Sequence, residues 1–110
     1  MEIWSDWMSF PDPRKRGFIW APIGPGVYEL RRKDTGGYVL CGSGKNCAYR
    51  MTSLLPSTLG QGTRKNEDKR DYLLTNLDDI EYRCCACITV DEAREVEARL
   101  KREVTYLFHT

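Results

Sequence analysis

The sequence predicts a small α+β domain: a three-stranded antiparallel sheet flanked by helices, in the order β-β-α-(α)-β-α. Three observations predict it. Residues 26–42 hold two apolar-rich runs separated by Asp34-Thr35-Gly36-Gly37, turn chemistry that reads as a β-hairpin. Residues 80–90 (IEYRCCACITV) alternate with the period of a half-buried strand. Beyond them Ala93, Val96, Leu100, Val104 and Leu107 recur at helical spacing. Three strands backed by helices in that order make a compact α+β domain. A length of 110 residues suits one domain over 1–110, with 1–25 as a wrap and 26–108 as the core.

The elements follow in order. Pro11, Pro13, Pro22 and Pro25 punctuate residues 1–25, with Gly17 and Gly24 between them, so this segment reads as irregular. It also carries Trp4, Trp7, Phe10, Phe18 and Trp20, which predicts rings buried against the domain; an exposed aromatic patch for a protein partner is the alternative. Gly26 to Lys33 and Tyr38 to Gly42 form the hairpin strands. Ser43-Gly44-Lys45-Asn46 connects to a helix over about 47–55, with Asn46 as its N-cap. Cys47, Met51, Leu54 and Leu55 make its buried face, and Pro56 ends it. Residues 57–68 read as a polar loop carrying Arg64 and Lys65. A short helix over 69–77 precedes the third strand, in which Ile80, Tyr82, Cys84, Ala86 and Ile88 share one face. The last helix runs to about Phe108.

Composition excludes several classes. Charged residues at 30% and apolar residues at 41% are ordinary for a soluble protein. No apolar run approaches the roughly 20 residues of a membrane helix. The start holds Glu2 and Asp6 and lacks a positive n-region, so it does not read as a signal peptide, and a cytoplasmic protein is expected. Five cysteines, an odd number, read as reduced and mostly buried thiols rather than a disulfide framework. Zinc is the alternative, but Cys84, Cys85 and Cys87 alternate across a strand and the lone His109 is at the chain end. The first 70 residues carry 12 Lys and Arg against 7 Asp and Glu; the last 40 carry 5 against 9. A basic first part suits a polyanionic ligand, and equally an uneven solvated surface.

Three features stand out chemically. Projected at about 100° per residue, Glu97 lies roughly 50° from the centre of the last helix's apolar stripe. A carboxylate turned toward the core needs a cation, an Arg or Lys partner, or strong donors. Gly42-Ser43-Gly44-Lys45-Asn46 joins a strand to a helix whose free N–H groups suit an anion. It is not a P-loop, since GxxxxGK[ST] is absent. Arg50, at the edge of that helix's buried face, is placed to reach a phosphate.

These features together resemble the GIY-YIG nuclease family. Gly26-Val27-Tyr28 resembles the first signature, and Leu40-Cys41-Gly42 stands where the second ends in glycine. Arg50 is eight residues after Gly42, with Asn46 between, and Ala93 and Glu97 match an alanine and a metal-binding glutamate four apart on a later helix. The match spans roughly residues 24–105. Leu40 replaces the second tyrosine, with Tyr38 two residues earlier as a partial substitute on the same face. Leu54 stands where a tyrosine or histidine is frequent.

The resemblance implies metal-dependent hydrolysis of phosphodiesters with low intrinsic sequence specificity. In that reading Tyr28, Arg50, Glu97 and Tyr38 are the catalytic candidates. Glu97 holds one Mg²⁺ or Mn²⁺, a hard ion that prefers carboxylate, water and phosphate oxygens. Lys45, Asn46, Arg64 and Lys65 are the candidate nucleic-acid contacts. The expected partner is nucleic acid, DNA ahead of RNA, with a protein partner for targeting and no membrane. Two alternatives stay open: a catalytically silent nucleic-acid binder, and a protein-interaction domain built on the aromatic N-terminal segment.

Overall fold

A computed structural model describes residues 2–12, 19–52, 54 and 67–108. Arg64, Lys65 and His109 lie outside the described residues. Among the described residues the elements are, in order, β1 (Met8–Ser9), β2 (Gly26–Arg32), β3 (Tyr38–Gly44), α1 (Cys47–Thr52), α2 (Glu67–Thr75), a single 3-10 turn (Leu77–Asp79), β4 (Ile80–Ala86) and α3 (Val90–Glu103). The strands form one antiparallel sheet in the order β1-β4-β2-β3.

The sheet has four strands, where the sequence predicts three. The fourth is β1, from the segment expected to be irregular. Met8 pairs with Tyr82 and Ser9 with Glu81, and Phe10 donates its N–H to the Ile80 carbonyl at 3.0 Å. Two paired residues are too few to leave a period-two pattern, which is why alternation does not reveal them.

The two faces of the sheet hold separate apolar clusters. On one face Tyr28, Leu30, Leu40, Ile80, Tyr82 and Cys84 pack with Cys47 and Met51 of α1, with Leu54, and with Leu73 of α2. On the other, Val27 and Cys41 pack with Ala93, Val96 and Leu100 of α3. Leu40 and Leu54, the two departures from the family pattern, are both fully buried in the first cluster. Four of the five cysteines are buried, and all five are free thiols. Burial pushes the Cys41 thiol up to about 11, so it acts as a small apolar group and a poor nucleophile.

The aromatic N-terminal segment is only partly a wrap. Phe10 is buried, edge-on to Tyr82 at 5.9 Å. Trp4 and Trp7 are half-buried, with the Arg83 guanidinium over both rings at 4.4 and 4.8 Å. Trp20 is 59% exposed. Beneath Arg83 lies Glu29, the buried carboxylate among the described residues. Its Oε1 accepts from Arg83 Nε at 2.9 Å and Nη2 at 2.8 Å, and its Oε2 accepts from the Tyr106 hydroxyl at 2.5 Å. Three donors compensate the desolvated charge. The amphipathic pattern singles out Glu97 for this problem, but the residue that has it is Glu29.

β3, β4 and α3 differ from their predicted lengths. β3 continues through Ser43 and Gly44, which pair with Val27 and Gly26, so only Lys45 and Asn46 remain of the expected loop. β4 ends at Ala86; Cys87 donates to the Pro25 carbonyl, and Ile88 is 87% exposed rather than on the buried face. Thr89 then caps α3 by accepting from the Glu92 N–H at 3.1 Å. α3 stops at Glu103, short of the predicted Phe108. Leu107 and Phe108 instead donate their N–H groups to Tyr38 and Val39, on the free side of β3. Edge pairing replaces the last predicted turn and takes Val104 and Leu107 out of the helical stripe.

Candidate functional site

The candidate residues converge where β3 ends. Tyr28 on β2 pairs across the ladder with Gly42 on β3. Its ring lies directly over that glycine: a Cβ at position 42 would stand 2.5 Å from Tyr28 Cζ and closer still to the hydroxyl. One pleat further, Gly44 carries the stem of Arg50, whose Cβ would be 3.2 Å from a side chain placed there. Two glycines on one face of an edge strand thus form a floor for a phenol and for the stem of an arginine.

Arg50 reaches this floor because α1 starts promptly after β3. Asn46 caps it, accepting from the Tyr49 N–H at 3.0 Å, as the sequence predicts. Asn46 therefore has a structural task, and Lys45 beside it is exposed.

Ser43, between the two glycines, points to the opposite face and meets α3. Its hydroxyl donates to Glu97 Oε1 at 2.5 Å. Lys101, one turn along, approaches Glu97 Oε2 at 2.8 Å. The Glu97 side chain is 18% exposed, at the rim of the apolar stripe. Glu97 thus approaches β3 from one side and Tyr28 with Arg50 from the other.

The three groups feel one another. Burial, the largest influence, raises the Tyr28 phenol to about 12; the Arg50 charge opposes this rise and the Glu97 charge adds to it. Tyr28 is therefore firmly protonated in the isolated protein at neutral pH.

Tyr38 does not join this group. A bulge between Leu30 and Arg31 sets Leu40 opposite Leu30 but Tyr38 opposite Arg31, leaving Val39 as the extra residue. The expectation that Tyr38 shares a face with Leu40 is corrected by that bulge. Tyr38 turns to the α3 side, edge-on to Tyr106 at 5.9 Å and near Trp7 at 6.5 Å. Its partner Arg31 is three residues from Tyr28, roughly 10 Å along β2.

No protein-family model matches the sequence. No curated protein matches it either. Among solved structures, the chain is similar to the GIY-YIG N-terminal endonuclease domain of UvrC from Thermotoga maritima bound to its catalytic divalent cation, magnesium. The TM-score is 0.63 at 20% identity, covering 92% of this chain and 100% of that one. A point mutant of the same domain, also bound to its catalytic divalent cation, gives 0.62 at 21% identity, over 92% and 99%. The chain has the GIY-YIG endonuclease-domain fold.

In this chain Gly42 has a physical reason: it makes room for the Tyr28 ring. The donor set also fits a single hard cation. Mg²⁺ is held by one or two carboxylates and keeps several waters, so Glu97 would be the carboxylate to hold such an ion. Lys101 would have to release Oε2, and at 37% exposure it has room to do so.

The sequence reading missed Lys69. This residue of α2 is half-buried, and its ammonium is destabilised first by burial and then by the charges of Arg50 and Lys101. Its position one turn before the buried Leu73 was the available signal.

Proposed function

We propose that this protein is a metal-dependent endonuclease hydrolysing phosphodiester bonds in nucleic acid. The observation that carries the proposal is the meeting of Tyr28, Arg50 and Glu97 around Gly42, Ser43 and Gly44. A nucleic-acid binder has no use for a carboxylate beside an anionic ligand. A hydrolase does, because the carboxylate holds a cation.

The chemistry divides among these side chains. Arg50 offsets negative charge on the non-bridging oxygens of the pentavalent phosphorane. Tyr28 orients the attacking water and accepts its proton, which requires that cations near the phenol draw its pKa down from about 12. Glu97, fixed by Ser43, would hold Mg²⁺ or Mn²⁺, and that ion would supply charge to stabilise the leaving oxygen. Lys45 contributes backbone affinity without reading bases; Arg64 and Lys65 are proposed for the same task. Tyr38 is too far along the strand to share the proton transfer, and we assign it to aromatic packing.

A small face offers little surface for base edges, so low sequence specificity follows, with DNA ahead of RNA and a protein partner delivering the substrate. A second reading, a catalytically silent nucleic-acid binder, is favoured by one observation: Ser43 and Lys101 already engage both Glu97 oxygens. The test compares wild type and Glu97→Ala on labelled DNA and RNA structures with Mg²⁺, with Mn²⁺ and with EDTA. Cleavage by wild type alone, stopped by EDTA, is the expected result. Binding without cleavage of any substrate selects the silent binder.

A further inference from the structure

Of the six tyrosines, all but Tyr49 are buried or packed on another ring. Tyr49 is 77% exposed. It stands on the outer side of α1, whose Cys47 and Met51 face inward. Its backbone is nevertheless held. The N–H donates to Asn46 Oδ1 at 3.0 Å, and the carbonyl accepts from the Thr52 hydroxyl at 2.5 Å. The ring is therefore presented to solvent from a fixed base.

A second observation lies beside it. The Pro22 carbonyl accepts from the Ala48 N–H at 2.8 Å, and the Gly24 carbonyl from the Cys47 N–H at 3.0 Å. This stretch is thus docked on the start of α1. Ile23, between the two carbonyls, is 80% exposed, and Trp20 is 59% exposed. Trp20 is two residues, at most about 7 Å of chain, from Pro22. The Tyr82 hydroxyl bonds both its N–H and its carbonyl at 3.0 Å. Exposed apolar side chains scattered singly need no explanation, but three large ones brought around one short helix form a patch.

Charge decides what suits this patch. Arg50 follows Tyr49 directly, its stem on Gly44, and Lys45 beside the Asn46 cap is exposed. Residues 19–28 and 38–52, which carry the patch, hold no Asp or Glu. An anion meets no like charge from either segment. Aromatic rings interleaved with basic side chains suit a single nucleic-acid strand, whose phosphates take the charge and whose bases stack. A paired base must first leave its stack, at a cost; an unpaired one offers its face freely.

We propose that Tyr49 is a base-stacking platform, holding an unpaired nucleobase next to the phosphate that Arg50 contacts. The proposal rests on the nucleic-acid reading above and narrows it: the substrate is single-stranded or locally unpaired. Stacking accepts any base, in keeping with low sequence specificity.

The test is fluorescence anisotropy in EDTA, where cleavage cannot interfere. The labelled probes, in DNA and in RNA, are a single strand, the same strand with abasic residues at its centre, and a full duplex. Wild type, Tyr49→Phe, Tyr49→Ala and the control Ile88→Ala are titrated at two salt concentrations, with thermal melts to verify folding. Ile88 is an equally exposed apolar residue, ahead of α3. Tyr49→Ala is expected to weaken single-strand binding about tenfold, the loss of one stacked base. The slope of log K against log salt should not change, because no phosphate contact is removed. Tyr49→Phe and Ile88→Ala should match wild type. Wild type should itself lose about tenfold on the abasic strand, where Tyr49→Ala loses nothing further. Wild-type single-strand affinity in Tyr49→Ala would overturn the stacking role and return the patch to a protein partner. An equal loss in Ile88→Ala, full wild-type affinity for the abasic strand, or wild-type binding to the duplex alone would also overturn it. Absence of wild-type binding to every probe would overturn the parent reading, and this one with it.

Discussion

The Tyr28 hydroxyl occupies the space that a Cβ on Gly42 would need. The two residues face each other across β2 and β3, so neither can move without bending the ladder. Gly42→Ala is therefore expected to displace the ring and cost about 1–3 kcal/mol, as overpacking does. Cleavage should fall with it. The double variant Tyr28→Ala, Gly42→Ala should recover stability relative to the sum of the two single changes, with a coupling above about 0.5 kcal/mol in urea melts. Strict additivity would mean that the ring is not what excludes the side chain.

The phenol of Tyr28 gives a pH signature. Its folded pKa is raised to about 12, above an unfolded value of about 10. The sign follows: burial of the neutral phenol contributes stability in full below pH 10, and that contribution is lost as pH rises through 12. Tyr28→Phe should remove one ultraviolet phenolate transition near pH 12. If Tyr28 is the base, cleavage by wild type should rise about one decade per pH unit across the neutral range. A flat profile would exclude Tyr28 from proton transfer.

Glu97 separates binding from chemistry. Glu97→Gln keeps an oxygen for the Ser43 hydroxyl and loses the charge paired with the partly exposed Lys101, so the fold should change by about 1 kcal/mol or less. Mn²⁺ binding, followed by electron paramagnetic resonance, should be lost, and cleavage should fall about a hundredfold or more. Oligonucleotide binding in EDTA should survive. Undiminished Mn²⁺ binding would place the ion elsewhere.

The buried Glu29 and Arg83 pair concerns stability rather than chemistry. Arg83→Met leaves the Glu29 charge without its two guanidinium donors and should cost about 3–5 kcal/mol. The double change Glu29→Leu, Arg83→Met should recover most of that loss. A single Arg83→Met variant as stable as wild type in urea would show that Tyr106 alone compensates the carboxylate.

The hairpin, α1, the third predicted strand and the buried start of the last helix were legible because each repeats a period or carries a cap. Tyr28, Gly42, Arg50 and Glu97 were singled out by the family resemblance, and the structure sets Tyr28 over Gly42 and Glu97 against Ser43. Features that depend on one residue against a distant partner were not legible. β1 is two residues long and exists because β4 offers it a free edge. The bulge that turns Tyr38 away adds one residue, Val39, to β3 and leaves no compositional mark. Glu29 reads as the polar member of an alternating strand until Arg83 and Tyr106 are brought onto it from 54 and 77 residues away.

The tail that leaves α3 has a consequence for how copies of this chain meet. β3 is an outermost strand, and such a strand can template growth by a second molecule. Leu107 and Phe108 occupy the carbonyls of Tyr38 and Val39, so the half of that border away from Gly42 is already stoppered from within the same molecule. The border around Gly42 and Gly44 cannot be stoppered in this way if nucleic acid is to reach Arg50. Its protection against self-association then falls to charge: Lys45 and Arg50 stand at that end, and two copies approaching there would repel.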